Sequence, residues 1–169
     1  MKKLYLFNPE NDMALASGSP YYMAPASAKK MANDLAVLPA WYADAGSEIL
    51  VGDSRQVDWL REGCRLSLPV NGVLSVSDEY EEIIPWGWSP ALKHRLGMDT
   101  VSEVDVDHLR SLSSRMTAVG LLPKLRIEGT IGESFWLTSL ENVSAFSLKH
   151  DRVLLKAPWS GSGKGIQPL

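Results

Sequence analysis

Short apolar runs alternate with longer polar segments along the chain, and their spacing predicts its elements. Leu4, Tyr5, Leu6 and Phe7 form a first apolar run, read as a buried strand. The polar, proline-containing stretch Asn8-Pro9-Glu10-Asn11-Asp12 follows it as a loop. Over residues 26–38, Ala28, Met31, Ala32, Leu35 and Leu38 recur at helical spacing until Pro39 interrupts them. Trp41, Tyr42 and Ala45 suggest a short further turn before Gly46, and residues 48–51 read as a second strand. Asp53 or Ser54 can cap a helix over 55–61 that Gly63 ends. Residues 66–68 and 73–76 are candidate short strands around a turn at Asn71-Gly72. The acidic run 78–82 reads as one solvated face of a short helix. Ser89 then suits an N-cap, Pro90 the first helical position and Gly97 the residue past the end, which predicts a helix over 91–96. Before it, Pro85-Trp86-Gly87-Trp88 reads either as a packing corner or as a wall facing a ligand.

The second half is more helical. Asp105 or Asp107 starts a stretch in which His108, Leu109, Leu112, Met116, Val119 and Leu122 keep helical spacing, with Pro123 expected to end it. Thr138 and Glu141 have the spacing of a capping box, opening a helix that ends near Lys149. Residues 152–156 read as a buried strand. Alternating strands and helices imply a mainly parallel sheet with helices on its faces. The expected organisation is an α/β layer domain over 1–98, then a helical segment and a small α+β unit over 99–169.

Composition excludes more than it identifies. The chain has 169 residues, 45% hydrophobic and 22% charged, with a net charge of -3. Those values allow an ordinary core. Lys and Arg are spread among acids rather than clustered, which argues against nucleic acid as a partner. The single cysteine, Cys64, can form no internal disulfide and has no cysteine neighbour for a metal site. The N-terminal apolar run is too short for a signal peptide, and no run approaches the roughly 18 residues of a membrane span. A cytoplasmic protein is expected. His94, His108 and His150 lack metal-ligand spacing.

The chemical signal lies near the end. The apolar run Val153-Leu154-Leu155-Lys156 leads into Ala157-Pro158-Trp159 and then Ser160, Gly161, Ser162, Gly163, Lys164 and Gly165. Glycines let a backbone approach an oxyanion closely, and successive amides can surround phosphate oxygens. Lys156 and Lys164 add positive charge. A P-loop does not fit: Pro158 stands at its first glycine position, and Gly165 stands where Ser or Thr is needed. A dinucleotide fingerprint belongs after the first strand, where residues 8–12 contain no glycine. A flexible glycine-serine tail accounts for the glycines and serines, but not for the strand before them.

This stretch, with Ile166 beyond it, resembles the strand, phosphate-covering loop and returning strand of the ATP-grasp superfamily. The upstream order is similar too: an α/β domain, a helix with Arg115 near its start, a turn at Pro123 and a capped helix after Thr138. The resemblance implies a Rossmann-like pre-ATP-grasp domain over 1–98, followed by an incomplete ATP-grasp lobe. It implies that Lys156 contacts nucleotide phosphate, that Ser160, Gly161, Ser162, Gly163, Lys164 and Gly165 cover the phosphates, and that Arg115 stands where the family has a phosphate-directed lysine. Arg keeps that charge but changes its geometry. The implied activity is ligation with ATP and Mg2+ on a small-molecule carboxylate, with an amine or thiol as the second substrate. The family's metal ligands lie well after the glycine loop, so the chain is expected to be an N-terminal portion without turnover of its own and without bound nucleotide. Its exposed C-terminal lobe admits a homodimer or a completing partner. The alternative is a non-catalytic module that binds a small molecule or protein, with a disordered glycine-rich tail.

A second candidate site is the loop after the first strand. Ligands of open α/β sheets bind beyond the carboxyl ends of the strands. Glu10, Asn11 and Asp12 are therefore candidates to meet an amine or cationic part of a substrate, against the plainer reading of a solvated turn.

Overall fold

A computed structural model of the chain describes residues 2–63, 68–98, 105–159 and 165–169. The fold is mixed α/β, with a four-stranded parallel sheet and, among the described residues, seven α-helices. Two compact units divide between Val106 and Asp107, where the sequence suggested 98 and 99.

In the first unit, strands β1 (Lys3–Leu6), β2 (Glu48–Leu50), β3 (Asn71–Val73) and β4 (Glu82–Pro85) lie in the order β3-β2-β1-β4, all parallel. Central β1 is buried from Leu4 to Leu6. Alternation along the strand sends Tyr5 to one face and Leu4 and Leu6 to the other. Tyr5 joins Ala36, Ala40, Ile49, Val51, Leu60 and Val70 in one apolar cluster. Leu4, Leu6, Ala14, Leu15 and Leu92 are buried outside that cluster, as a parallel sheet covered on both faces requires.

Helices α1 (Asn11–Ser17) and α2 (Ala26–Asp34) connect β1 to β2. The stretch 8–12 is therefore not wholly loop. Asn11 and Asp12 begin a helix, which Gly18 ends in the left-handed conformation at φ 66°. α2 is shorter than its apolar stripe suggested. Met31, Leu35 and Leu38 are exposed, and it is the small Ala28 and Ala36 that are buried; a 3-10 turn, Leu38–Trp41, follows. Helix α3 (Ser54–Asp58) is capped by Asp53, whose carboxylate accepts from Gln56 N at 3.2 Å, and runs on as a π turn through Gly63.

Two expectations fail here for identifiable reasons. Asn71 and Gly72 form no hairpin turn, because both lie within β3, which pairs in parallel with β2. A Cβ on Gly72 would stand 3.0 Å from Val57 Cα and 3.2 Å from Leu60 Cδ1, so this glycine permits a close strand–helix approach. Of the candidate strands, 66 and 67 lie outside the described residues, Leu68 and 74–76 are irregular, and Val73 belongs to β3. The acidic run 78–82 is a turn leading into β4, not a helix. Its charges meet lysines of β1 and the residue before it. Lys2 Nζ lies 2.9 Å from Glu79 and 3.5 Å from Glu48, and Lys3 Nζ lies 2.7 Å from Asp44 and 3.3 Å from Glu82.

Helix α4 (Pro90–Arg95) forms as read, with Ser89 Oγ accepting from Leu92 N at 3.3 Å and Gly97 at φ 67° past its end.

The second unit holds α5 from Asp107 onward (Val106–Ser113), α6 (Arg115–Leu125), α7 (Leu140–Ser147) and an antiparallel pair, β5 (Leu154–Lys156) and β6 (Ile166–Pro168). The expected single helix over 105–122 is two, because Ser114 takes an extended ψ of 141° and its hydroxyl caps α6 by accepting from Met116 N at 3.2 Å. Pro123 does not end α6 but sits in its last turn, where its missing N–H removes one bond. The cap of α7 is Ser139 rather than Thr138, with its hydroxyl accepting from Asn142 N at 3.2 Å. Only Ser114 and Val153 are buried among this unit's described residues. Among the described residues no helix is long and apolar enough to cross a membrane.

Candidate functional site

The first unit gathers polar groups at the carboxyl ends of β1 and β4, where the strand order reverses. That is the place at which open α/β sheets bind ligands. Asn8, 2% exposed, follows β1 and clamps the loop after β4: its Nδ2 donates to Gly87 O at 2.8 Å, and its Oδ1 accepts from Gly87 N at 3.2 Å. The Asn11 amide, oriented to satisfy its neighbours, donates to Gly87 O and Trp88 O, each at 3.0 Å. A Cβ on Gly87 would come within 2.2 Å of that amide, so the corner admits only glycine without movement of Asn11. Gly87 is thus held tightly in the Pro85–Trp88 run, while Trp86 is exposed. Trp86 meets Phe7 edge to face at 5.5 Å and Tyr42 at 6.4 Å.

Glu10 lies beside this clamp. It occupies the N-cap position of α1, and its carbonyl accepts from Ala14 N at 3.0 Å, but its carboxylate makes no capping bond. The side chain is 14% exposed, with Oε1 3.7 Å from Arg95 Nη1 on α4. Oε2 is closed to solvent and without a hydrogen-bond partner. Asp12, by contrast, is exposed in the first turn of α1, where an acid suits the helix dipole. Of the three residues proposed from sequence, then, one is a half-buried carboxylate, one braces the corner and one faces solvent. Asn8, Gly87 and Arg95 were not singled out as site residues. The readable signal was an asparagine at a strand end and a glycine between two tryptophans.

In the second unit, Arg115 bonds to the backbone of the two residues that follow Lys156. Arg115 Nη1 donates to Ala157 O at 2.6 Å, and Arg115 N donates to Pro158 O at 3.0 Å. Arg115 is therefore not a solvated helix residue; it fastens the start of α6 to the residues leaving β5. Lys156 is exposed at the end of β5, paired in register with Ile166. Gly165, at φ 69°, closes the pair as its carbonyl accepts from Ala157 N at 2.8 Å. Ser160, Gly161, Ser162, Gly163 and Lys164 lie outside the described residues. Trp159 has a buried Nε1 without a partner among the described residues, and the Arg110 guanidinium stacks over its ring at 4.7 Å. For a metal, the described residues offer no group of three His, Cys, Asp or Glu, and none is assigned to one.

Compared with protein-family models, with curated proteins and with solved structures, the chain matches none.

Proposed function

We propose that this chain is the leading part of an ATP-dependent carboxylate ligase of the ATP-grasp kind, with a Rossmann-like pre-ATP-grasp domain in the first unit and the start of the nucleotide lobe in the second. The observation that carries this reading is the hairpin itself. Residues 160–165 connect two strands that pair from Lys156 and Ile166 to Leu154 and Pro168, with Leu169 N also donating to Val153 O at 3.1 Å. A glycine-rich loop returned by a paired strand suits the covering of a phosphate chain better than a free tail does. Arg115 and Lys156, both cationic, stand at its base.

A ligase of this kind phosphorylates a carboxylate with ATP, and an amine or thiol then displaces the phosphate. Magnesium, when bound, offsets the charge that develops on the phosphates. In this reading Lys156 meets a phosphate, the amides of the glycine-rich loop surround its oxygens, and Arg115 holds the loop's base in place. Exposed Leu121, Leu122, Leu125, Phe135, Trp136 and Leu140 leave the second unit with apolar surface for a further part of the fold or a partner to cover.

The test is made on the protein from its native source, by intact mass and Mg·ATP titration. The expected result is a mass above 18.6 kDa, with Mg·ATP binding that Lys156→Gln weakens about tenfold, the loss of one charge-assisted contact. A native protein longer than this chain that does not bind Mg·ATP would sink the reading.

A further inference from the structure

We infer that Arg110 is a positioning residue for nucleotide binding: it fixes Trp159 and so sets where the glycine-rich segment leaves the hairpin. This role rests on the nucleotide-binding reading above and adds a residue to it. Three consecutive residues leaving β5 are each held from the two helices. Arg115 Nη1 donates to Ala157 O at 2.6 Å, Arg115 N donates to Pro158 O at 3.0 Å, and the Arg110 guanidinium lies over the Trp159 ring at 4.7 Å. Arg110, Arg115 and Trp159 are all half-buried.

The helix break at Ser114 makes this convergence possible. In one continuous helix of 3.6 residues per turn, positions 110 and 115 would point about 140° apart. Ser114, buried and extended, separates α5 from α6 and caps the latter. Arg110 on α5 and Arg115 at the start of α6 then reach adjacent residues at the exit of one strand.

The two arginines act differently. Arg115 holds carbonyls and so fixes backbone. Arg110 holds a side chain through the face of its ring, an attraction that grows as the pair is shielded from water. Trp159 Nε1 is itself closed to solvent. The far end of the segment is fixed as well, because Gly165 O accepts from Ala157 N at 2.8 Å. A segment anchored at both ends has less freedom to lose when a ligand orders it, so more of the contact energy appears as affinity. Arg110 therefore strengthens phosphate binding without touching phosphate. The competing account makes Arg110 a direct phosphate contact, and in that case its effect does not need the indole.

Hydrogen exchange on the 15N-labelled chain comes first, because it needs no nucleotide. Arg110→Gln should speed exchange at the Ala157 amide and the Trp159 indole N–H about threefold or more, with Tyr5 and Ile49 of the first unit unchanged. Unchanged exchange at both groups would overturn the assignment whatever the protein binds. Mg·ATP titration of the full-length protein then separates the two accounts. Arg110→Gln and Trp159→Leu should each weaken binding about two- to tenfold, within the range of one cation–π contact, and the double variant should lose no more than the weaker single. Trp159→Phe keeps a ring face and should lose less than Trp159→Leu; it completes the same cycle if Trp159→Leu does not fold. Additive losses, or a loss in Arg110→Gln alone, would assign Arg110 to direct phosphate contact and overturn the inference. Wild-type full-length protein that binds no Mg·ATP would sink the ligase reading, and the exchange result would still decide whether Arg110 fixes Trp159.

Discussion

Asn8 is the most informative residue to perturb, because a single side chain joins the two loops at the carboxyl end of the sheet. It is 2% exposed and makes both a donated and an accepted bond with Gly87. Asn8→Ala removes both. Each is worth about 0.5–1.5 kcal/mol net, and the Gly87 N–H loses its partner away from water, so the expected loss is about 2 kcal/mol. For a unit of this size that lowers Tm by about 8–16 °C. Because the chain has two units, urea unfolding should be followed at amides of the first alone, such as Tyr5 and Ile49. Asn8→Asp supplies the sharper control. Above its pKa the new carboxylate still accepts from Gly87 N but turns a negative charge on Gly87 O. Burial raises such a pKa. The protonated acid regains an O–H donor, so the deficit relative to wild type should shrink as pH falls and grow as pH rises. A loss below about 0.5 kcal/mol in Asn8→Ala, the scale of an ordinary surface change, would refute the clamp. So would a pH-independent deficit in Asn8→Asp.

Two other changes test separate parts of the fold. Gly72→Ala places a methyl 3.0 Å from Val57 Cα, against backbone that cannot turn aside, and should cost about 1–3 kcal/mol by urea unfolding with an unchanged m value. The pH dependence of Tm should fall away on both sides. Hydrogen bonds from Lys3 to Asp44 and from Lys2 to Glu79 hold both carboxyls below their usual range; that stability is present above the ordinary carboxylate pKa and is lost as pH falls through the lowered folded values. Burial, then the hydrogen bond to Glu48, pushes the Tyr80 phenol from 10.0 up to about 12, so its contribution is intact below pH 10.0 and is lost as pH rises through about 12. Thermal melts of Tyr80→Phe should lose that alkaline slope, and a slope unchanged by the substitution would show that another group carries it.

Local chemistry made several elements legible in the sequence. Ser89-Pro90 with Gly97 gave α4, Asp53 or Ser54 gave the start of α3, and the apolar run before Asn8 gave β1. Each depends on neighbours within about one helical turn, so no distant contact was needed to read it. β4 was missed because the acids before it look like a solvated helix, whereas Lys2 and Lys3 across the sheet are what receive them. The hairpin at Asn71-Gly72 was misread because an Asn-Gly pair between apolar runs also suits a strand pressed against a helix, and only the neighbouring Val57 tells the two apart.

The candidate sites divide in the same way. The sequence by itself determined that a glycine-rich, lysine-bearing segment follows an apolar strand, and that three polar residues follow the first strand. It could do so because glycine content and charge are properties of adjacent residues. Only the tertiary structure decided that Arg115 fastens the base of the hairpin, that Asn8 and Asn11 grip the backbone after β4, and that Glu10 is half-buried while Asp12 is exposed. Those outcomes depend on parallel pairing of β1 with β4 across more than seventy residues of chain, and on which side of a short helix each carboxylate leaves. Neither is a property of any local stretch, because burial and hydrogen-bond partnership are fixed by what packs against a residue and not by its neighbours in sequence.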